Sequence, residues 1–205
     1  MIRSRCLVIA AAVVAAVLVG APAFAQEGPF VPTKDNPLRF SAFAVQMQAG
    51  VSTRVNIVVD RWSTDEERKA LIALIGEGER REDQQKLIDA LQDIKPRVGF
   101  ISTAGSLGWD LKYAHENQLP DGGRQIVIVT DKPVSFAAVR SNARTLDYAF
   151  SLIALKFPAG SDKGEGILSG QTAISVKDGR IELETFGIEP TRLTTVTQES
   201  PKKKK

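Results

Sequence analysis

The chain is poor in the residues that usually announce an active site. Its 205 residues include one cysteine, Cys6, and one histidine, His115. A lone cysteine excludes an intramolecular disulfide, and a Cys-ligated metal centre needs several thiolates. Zinc centres usually draw on more than one histidine, and a Ser–His–Asp triad would have to use His115. No HExxH, nucleophile elbow, P-loop or EF-hand pattern accompanies it. The longest apolar run, Leu7–Val19, falls short of the roughly 20 residues that span a bilayer core. No internal repeat is visible. The formal net charge is only +3, and the sequence offers no basic face for nucleic acid.

What is present begins at the N-terminus. A short basic start, Met1-Ile2-Arg3-Ser4-Arg5, precedes the apolar run, and Ala23-Phe24-Ala25 supplies small residues in an A-x-A spacing. This reads as a secretory signal peptide cut before Gln26. A lipobox cysteine would follow the apolar run, whereas Cys6 precedes it. Cleavage would remove Cys6, Arg3 and Arg5, leaving a net charge of +1; setting Lys202–Lys205 aside leaves −3. The basic balance thus belongs to the two ends. The expected organisation is a signal peptide over 1–25, an extended leader over 26–38, one β-rich domain over 39–198 and a disordered basic tail over 199–205. The expected location is periplasmic or extracellular.

The remaining 180 residues suffice for one core. Arg39–Gln48 alternates, with Phe43, Val45 and Met47 on one face. After Ala49-Gly50, a second run places Thr53, Val55, Ile57 and Val59 together, with Arg54, Asn56 and Asp60 opposite. Ser63 and Thr64, followed three residues later by Glu66 and Glu67, form a capping-box signature. Arg68, Leu71, Ile72 and Ile75 then share a helical face, broken by Gly76 and Gly78. Leu87, Ile88, Leu91 and Ile94 mark a second helix over 83–94, stopped by Pro96. Arg97–Thr103 and Gly108–His115 read as strands, and Asp121-Gly122-Gly123 as a turn. Ile126-Val127-Ile128-Val129 reads as a strand buried on both faces. Residues 134–143 are ambiguous, Leu146–Phe157 reads as a long strand and Pro158–Gly164 as a loop. Asp178-Gly179 predicts a type I′ hairpin pairing Lys177 with Arg180, Val176 with Ile181, Ser175 with Glu182 and Ile174 with Leu183. Thr191–Thr197 is the last strand. These elements predict an α+β, mainly β fold. It is a curved antiparallel sheet of about nine strands, a sandwich or partly closed barrel, with a two-helix insertion.

Candidate sites follow from residue type. His115 sits at a strand end, where an ordinary surface role is the simpler reading. The carboxylates Asp60, Asp110, Asp131, Asp147 and Glu165 could supply a pair for glycoside hydrolysis, but no spacing selects two of them. Gly105-Ser106-Leu107-Gly108 and the 160–166 stretch (GSDKGEG) could cradle an ion, or simply turn the chain. Arg61-Trp62 and Trp109 either plug a barrel end, with Arg61 stacked on an indole, or line a ligand mouth. A ligand site is expected around Arg61, Trp62, Trp109 and Tyr113, because arginine and aromatic side chains dominate recognition. No catalytic residue, metal ligand or cofactor is assigned. Lys202–Lys205 would give at most peripheral contact with anionic lipid.

The stretch Arg61–Arg68 (RWSTDEER), together with Gly108–Ala114 (GWDLKYA), Asp121–Arg124 (DGGR) and Thr130–Pro133 (TDKP), resembles a family of uncharacterised secreted bacterial proteins. The resemblance implies export and a single domain, and carries no activity or site residues. The functional expectation is an exported, non-enzymatic domain that binds a small apolar ligand or an envelope protein. The alternatives are a carboxylate-based hydrolase of envelope polymers and a structural adaptor.

Overall fold

The computed structural model describes residues 30–46, 50–76, 81–104, 106, 108–134, 150–169, 172–177, 180–185 and 190–199. Among them are ten strands and two helices. The elements are β1 (Leu38–Gln46), β2 (Val51–Val59), α1 (Asp65–Gly76), α2 (Arg81–Asp93), β3 (Gly99–Thr103), β4 (Trp109–Gln118) and β5 (Arg124–Thr130). They continue with β6 (Leu152–Phe157), β7 (Lys163–Ser169), β8 (Thr172–Lys177), β9 (Arg180–Thr185) and β10 (Thr191–Glu199). Eight strands close a barrel in the order β1-β10-β7-β6-β5-β4-β3-β2, every pair antiparallel. The fold is therefore mainly β with a two-helix insertion, and the curved sheet is a closed barrel.

Alternation fills the interior. In β1 the inward side chains are Leu38, Phe40, Ala42 and Ala44, opposite Val59, Ile57 and Val55 of β2 across the ladder. Ile101, Leu111, Ile126, Ile128, Ile153, Leu155, Phe157, Leu193 and Val196 join them, all at 0% exposure. Phe40 and Phe157 meet with ring centroids 5.7 Å apart. An eight-stranded barrel is just wide enough for side chains to fill, and burying each such residue stabilises by about 1.5–3 kcal/mol.

A second core lies outside the barrel. Leu71 of α1 and Leu87, Ile88 and Leu91 of α2, with Ile94 just beyond it, cluster with Tyr113, Val127, Val129 and Leu152 on the outer face of β4, β5 and β6. This gives the Ile126–Val129 run its two buried faces, as its unbroken apolarity predicts. The capping box also forms: the Glu67 N–H donates to Thr64 Oγ1 at 3.2 Å, and the Thr64 N–H donates to Glu67 Oε2 at 2.9 Å. The β8–β9 register is Lys177↔Arg180, Val176↔Ile181, Ser175↔Glu182 and Ile174↔Leu183, as expected. This hairpin is a separate two-stranded sheet outside the barrel.

Phe43 and Val45 share a face, as expected, and it is the outer face of β1; the inner face uses the smaller Ala42 and Ala44, and Met47 lies outside the described residues. Other expectations are corrected. Residues 163–166, read as loop and turn, open β7 (Lys163–Ser169). Its Gly166 faces inward: a Cβ there would stand 2.7 Å from Leu155 Cδ2 and from the Ala154 carbonyl oxygen. The strand expected over 146–157 is β6, beginning at Leu152, and 135–149 lies outside the described residues. The leader is not simply extended: Thr33 and Asn36 exchange backbone hydrogen bonds at 3.0 and 3.2 Å, and Pro32 is buried. The expected signal peptide, the Asp178-Gly179 turn and the lysine tail lie outside the described residues.

Candidate functional site

The four residues expected at a site do not converge. Trp109 pairs across the ladder with Ile101, on the inner face of β4, whereas Tyr113 belongs to the outer core beneath the helices. The reversal is local. Between Leu111 and Tyr113 the β4–β5 register shifts, leaving Lys112 as an extra residue, so Leu111 points in and Lys112 and Tyr113 point out. Lys112 Nζ lies 3.4 and 3.5 Å from the carbonyls of Gln92 and Ile94 and 3.8 Å from Asp131 Oδ2. It thus caps the C-terminal end of α2, where a cation is favoured.

Arg61 is engaged in the joint between β2 and α1. Its two terminal nitrogens grip the Glu67 carboxylate at 2.8 and 2.9 Å, and also reach the carbonyls of Pro96 and Trp62 at 2.8 and 3.2 Å. This fork, chiefly through its hydrogen bonds, holds the Glu67 carboxyl below its usual range; burial opposes, and the Thr64 N–H assists. The linker is also pinned to β4. The Ser63 N–H donates to the Ala114 carbonyl at 2.8 Å, and the Ala114 N–H donates to Ser63 Oγ at 3.1 Å. Trp62 is half-buried within this joint.

His115 lies within β4, 6.4 Å from the Tyr113 ring. Burial lowers its pKa, Arg68 of α1 adds to the effect and Asp65 opposes it. Burial raises the Tyr113 phenol, while the Arg68 charge and its hydrogen bond oppose. These residues form the seam between α1 and the barrel wall.

Two of the candidate carboxylates are paired with cations. Asp110 pairs with Arg97 at 2.7 Å, and Asp131 with Lys112. Glu165 is exposed on β7, Asp60 is half-buried, and Asp147 lies outside the described residues. The stretch proposed as an ion cradle is largely β7 itself. Among the described residues, no three of His, Cys, Asp and Glu are grouped to hold a metal ion, and no helix is long and apolar enough to cross a membrane. At the start of β5, Arg124 sits 4.7 Å over the Phe157 ring, donates to Gln198 Oε1 at 2.7 Å and lies 3.6 Å from Glu116 Oε2.

The surface that stands out is the wall on β10, β1 and β2. The outer core covers β4, β5 and β6, whereas the outward residues Phe43, Arg54, Arg192 and Thr194 are exposed. Phe43, at 46% exposure, is one of two large exposed hydrophobic residues among those described; the other is Val31. Phe43 lies opposite Arg54 on β2 and Thr194 on β10; Val45 lies opposite Ser52 and Arg192. Sequence reasoning placed Phe43 and Val45 on one face without identifying it as the outer one. The available signal was Phe40-x-Ala42-x-Ala44, a second face able to fit a narrow barrel.

No protein-family model, curated protein or solved structure matches the chain.

Proposed function

We propose that the protein is an exported, non-catalytic binding domain that engages an envelope partner through the outer wall of β10, β1 and β2. The observation that carries this reading is the contrast between a barrel interior occupied by its own side chains and a wall that leaves Phe43 in solvent. Small-molecule sites are concave and largely preformed. Here Phe40, Phe157 and the aliphatic residues around them occupy the place an enclosed apolar ligand would take. That favours an external partner over an enclosed cargo. The signal sequence supports export.

The test is site-specific photo-crosslinking in the producing cell. A photoreactive residue replacing Phe43 should give an adduct, and the same group replacing Lys156 on β6 should not. Native mass spectrometry of the exported protein should show the bare chain 26–205. Equal labelling at both positions would end the wall reading. A co-purifying mass of a few hundred daltons, lost on denaturation, would return the function to ligand carriage.

A further inference from the structure

Beyond the wall, we propose that β9 is a pairing edge for a second copy of this chain, joining two β8–β9 hairpins into one four-stranded sheet. The hairpin follows β7 and precedes β10 in the chain, yet forms a sheet of its own. Among the described residues, β9 pairs with β8 and with no other strand. A two-stranded sheet is marginal in water unless a helix or further strands support it. Here α1 lies against β8, which leaves β9 as the edge open to another strand. Arg180–Thr185 contains neither proline nor lysine, residues that commonly guard an open edge.

The register selects the strand that fits. A two-residue connection closes on a pair that exchanges backbone hydrogen bonds, here Lys177 and Arg180. Arg180, Glu182 and Glu184 therefore turn their backbone groups toward β8, and Ile181 and Leu183 turn theirs to the open edge. A twofold axis through Glu182 uses those groups: Ile181 stands opposite the partner's Leu183, and Leu183 opposite the partner's Ile181. The flanking positions then set Arg180 opposite the partner's Glu184 on both sides of the axis. Within one hairpin, Arg180 stands opposite Lys177, Glu182 opposite Ser175 and Glu184 opposite Ala173. The second copy thus sets a carboxylate across from Arg180, where its own hairpin sets another cation, and opposite charges across a ladder stabilise it. Sliding the two copies by two residues loses the match: one direction opposes Glu182 to Glu184, the other Asp178 to Glu184. Ile174, Val176, Ile181 and Leu183 occupy one face of the hairpin, so the pairing joins two apolar halves into a continuous strip. The unfavourable pair is Glu182 with itself on the axis. A ladder of about five residues a strand is small beside a standard interface, so the dimer is weak and forms at high concentration.

The experiment is sedimentation velocity of the full exported chain over a range of concentrations. A dimer that grows with concentration is expected. Arg180→Glu and Glu184→Arg should each weaken it about tenfold, because two attractive pairs become repulsive. Mixing these two variants should restore association as a heterodimer, and the double variant Arg180→Glu/Glu184→Arg should dimerise like the natural chain. Glu182→Gln should tighten the dimer by removing the like charges on the axis. Circular dichroism should show every variant folded, and the mixing step separates a lost contact from a damaged hairpin, since a damaged hairpin is not rescued by its complement. A monomer at every concentration would overturn the proposal. So would a dimer indifferent to the charge variants, which would place the contact on another surface, the Phe43 wall included.

Discussion

Thr195 holds a left-handed backbone, φ 52°, where β10 carries one residue more than its neighbours on both sides. A β-branched residue there clashes with its own backbone, at a cost of about 1–2 kcal/mol that glycine avoids. Glycine returns part of that gain through the larger entropy of its unfolded chain, about 0.4–1 kcal/mol. Thr195→Gly should therefore raise stability by about 0.5–1 kcal/mol, seen as a higher urea midpoint at unchanged slope. A lower midpoint would mean that the side chain contributes more than its conformation costs. The extra residues at Thr195 and Lys112 were illegible in the sequence, because a bulge is set by the partner strands and leaves no local signature. Gly164 and Gly166 misled for a related reason. Glycine ordinarily marks turns, yet in β7 a Cβ at either position would collide with β6, at Gly164 with the Lys156 carbonyl and the Phe157 ring.

At the scale of elements, the joint between β2 and α1 was the most legible part of the chain, because a capping box is a short-range device written within four residues. Its side chains make α1 sensitive to acid in two steps. His115 has a folded pKa below its ordinary value, so its stabilising contribution is present above about pH 6.5. It is lost as pH falls through the folded value, because the unfolded chain takes up the proton first. Glu67 is likewise depressed; its contribution is present above about pH 4.3 and lost as pH falls through its own lower folded value. Unfolding free energy measured from pH 8 to pH 3 should decline in two windows. His115→Asn should remove the upper decline, and Glu67→Gln should flatten the lower one. Retention of the upper decline in the His115 variant would place its origin elsewhere. Thr64→Ala should cost about 1 kcal/mol through the lost cap, with faster hydrogen exchange in the first turn of α1. The β8–β9 register was readable for the same reason as the capping box: two-residue turn chemistry and strand alternation fix pairing locally. Its position outside the barrel was not readable, because nothing local to a hairpin states which sheet it joins.

For the whole molecule, closure depends on β1 meeting β10, a pairing across about 150 residues that no sequence window contains. The candidate site shared that obscurity. Residue type favoured Trp109 and Tyr113, but only the closed barrel with its bulge at Lys112 sends one inward and the other beneath the helices. The same architecture makes β4, β5 and β6 a wall between two cores, with Ile126 and Ile128 facing the barrel and Val127 and Val129 facing the helices. Strands loaded on both faces should couple the cores into one cooperative unit. Leu91→Ala, in the outer core at 1% exposure, and Ile57→Ala, in the inner core, should each cost about 2–5 kcal/mol. The informative comparison is between probes. In a Trp62→Phe background the remaining tryptophan, Trp109, reports from the inner face of β4, while far-ultraviolet circular dichroism at 222 nm is weighted toward the helices. If the cores are coupled, Leu91→Ala shifts the urea transition equally by both probes, although Leu91 belongs to the opposite face of the wall. A shift confined to the helical signal, with the Trp109 transition unmoved, would show that the helix pair melts from a barrel that stands alone.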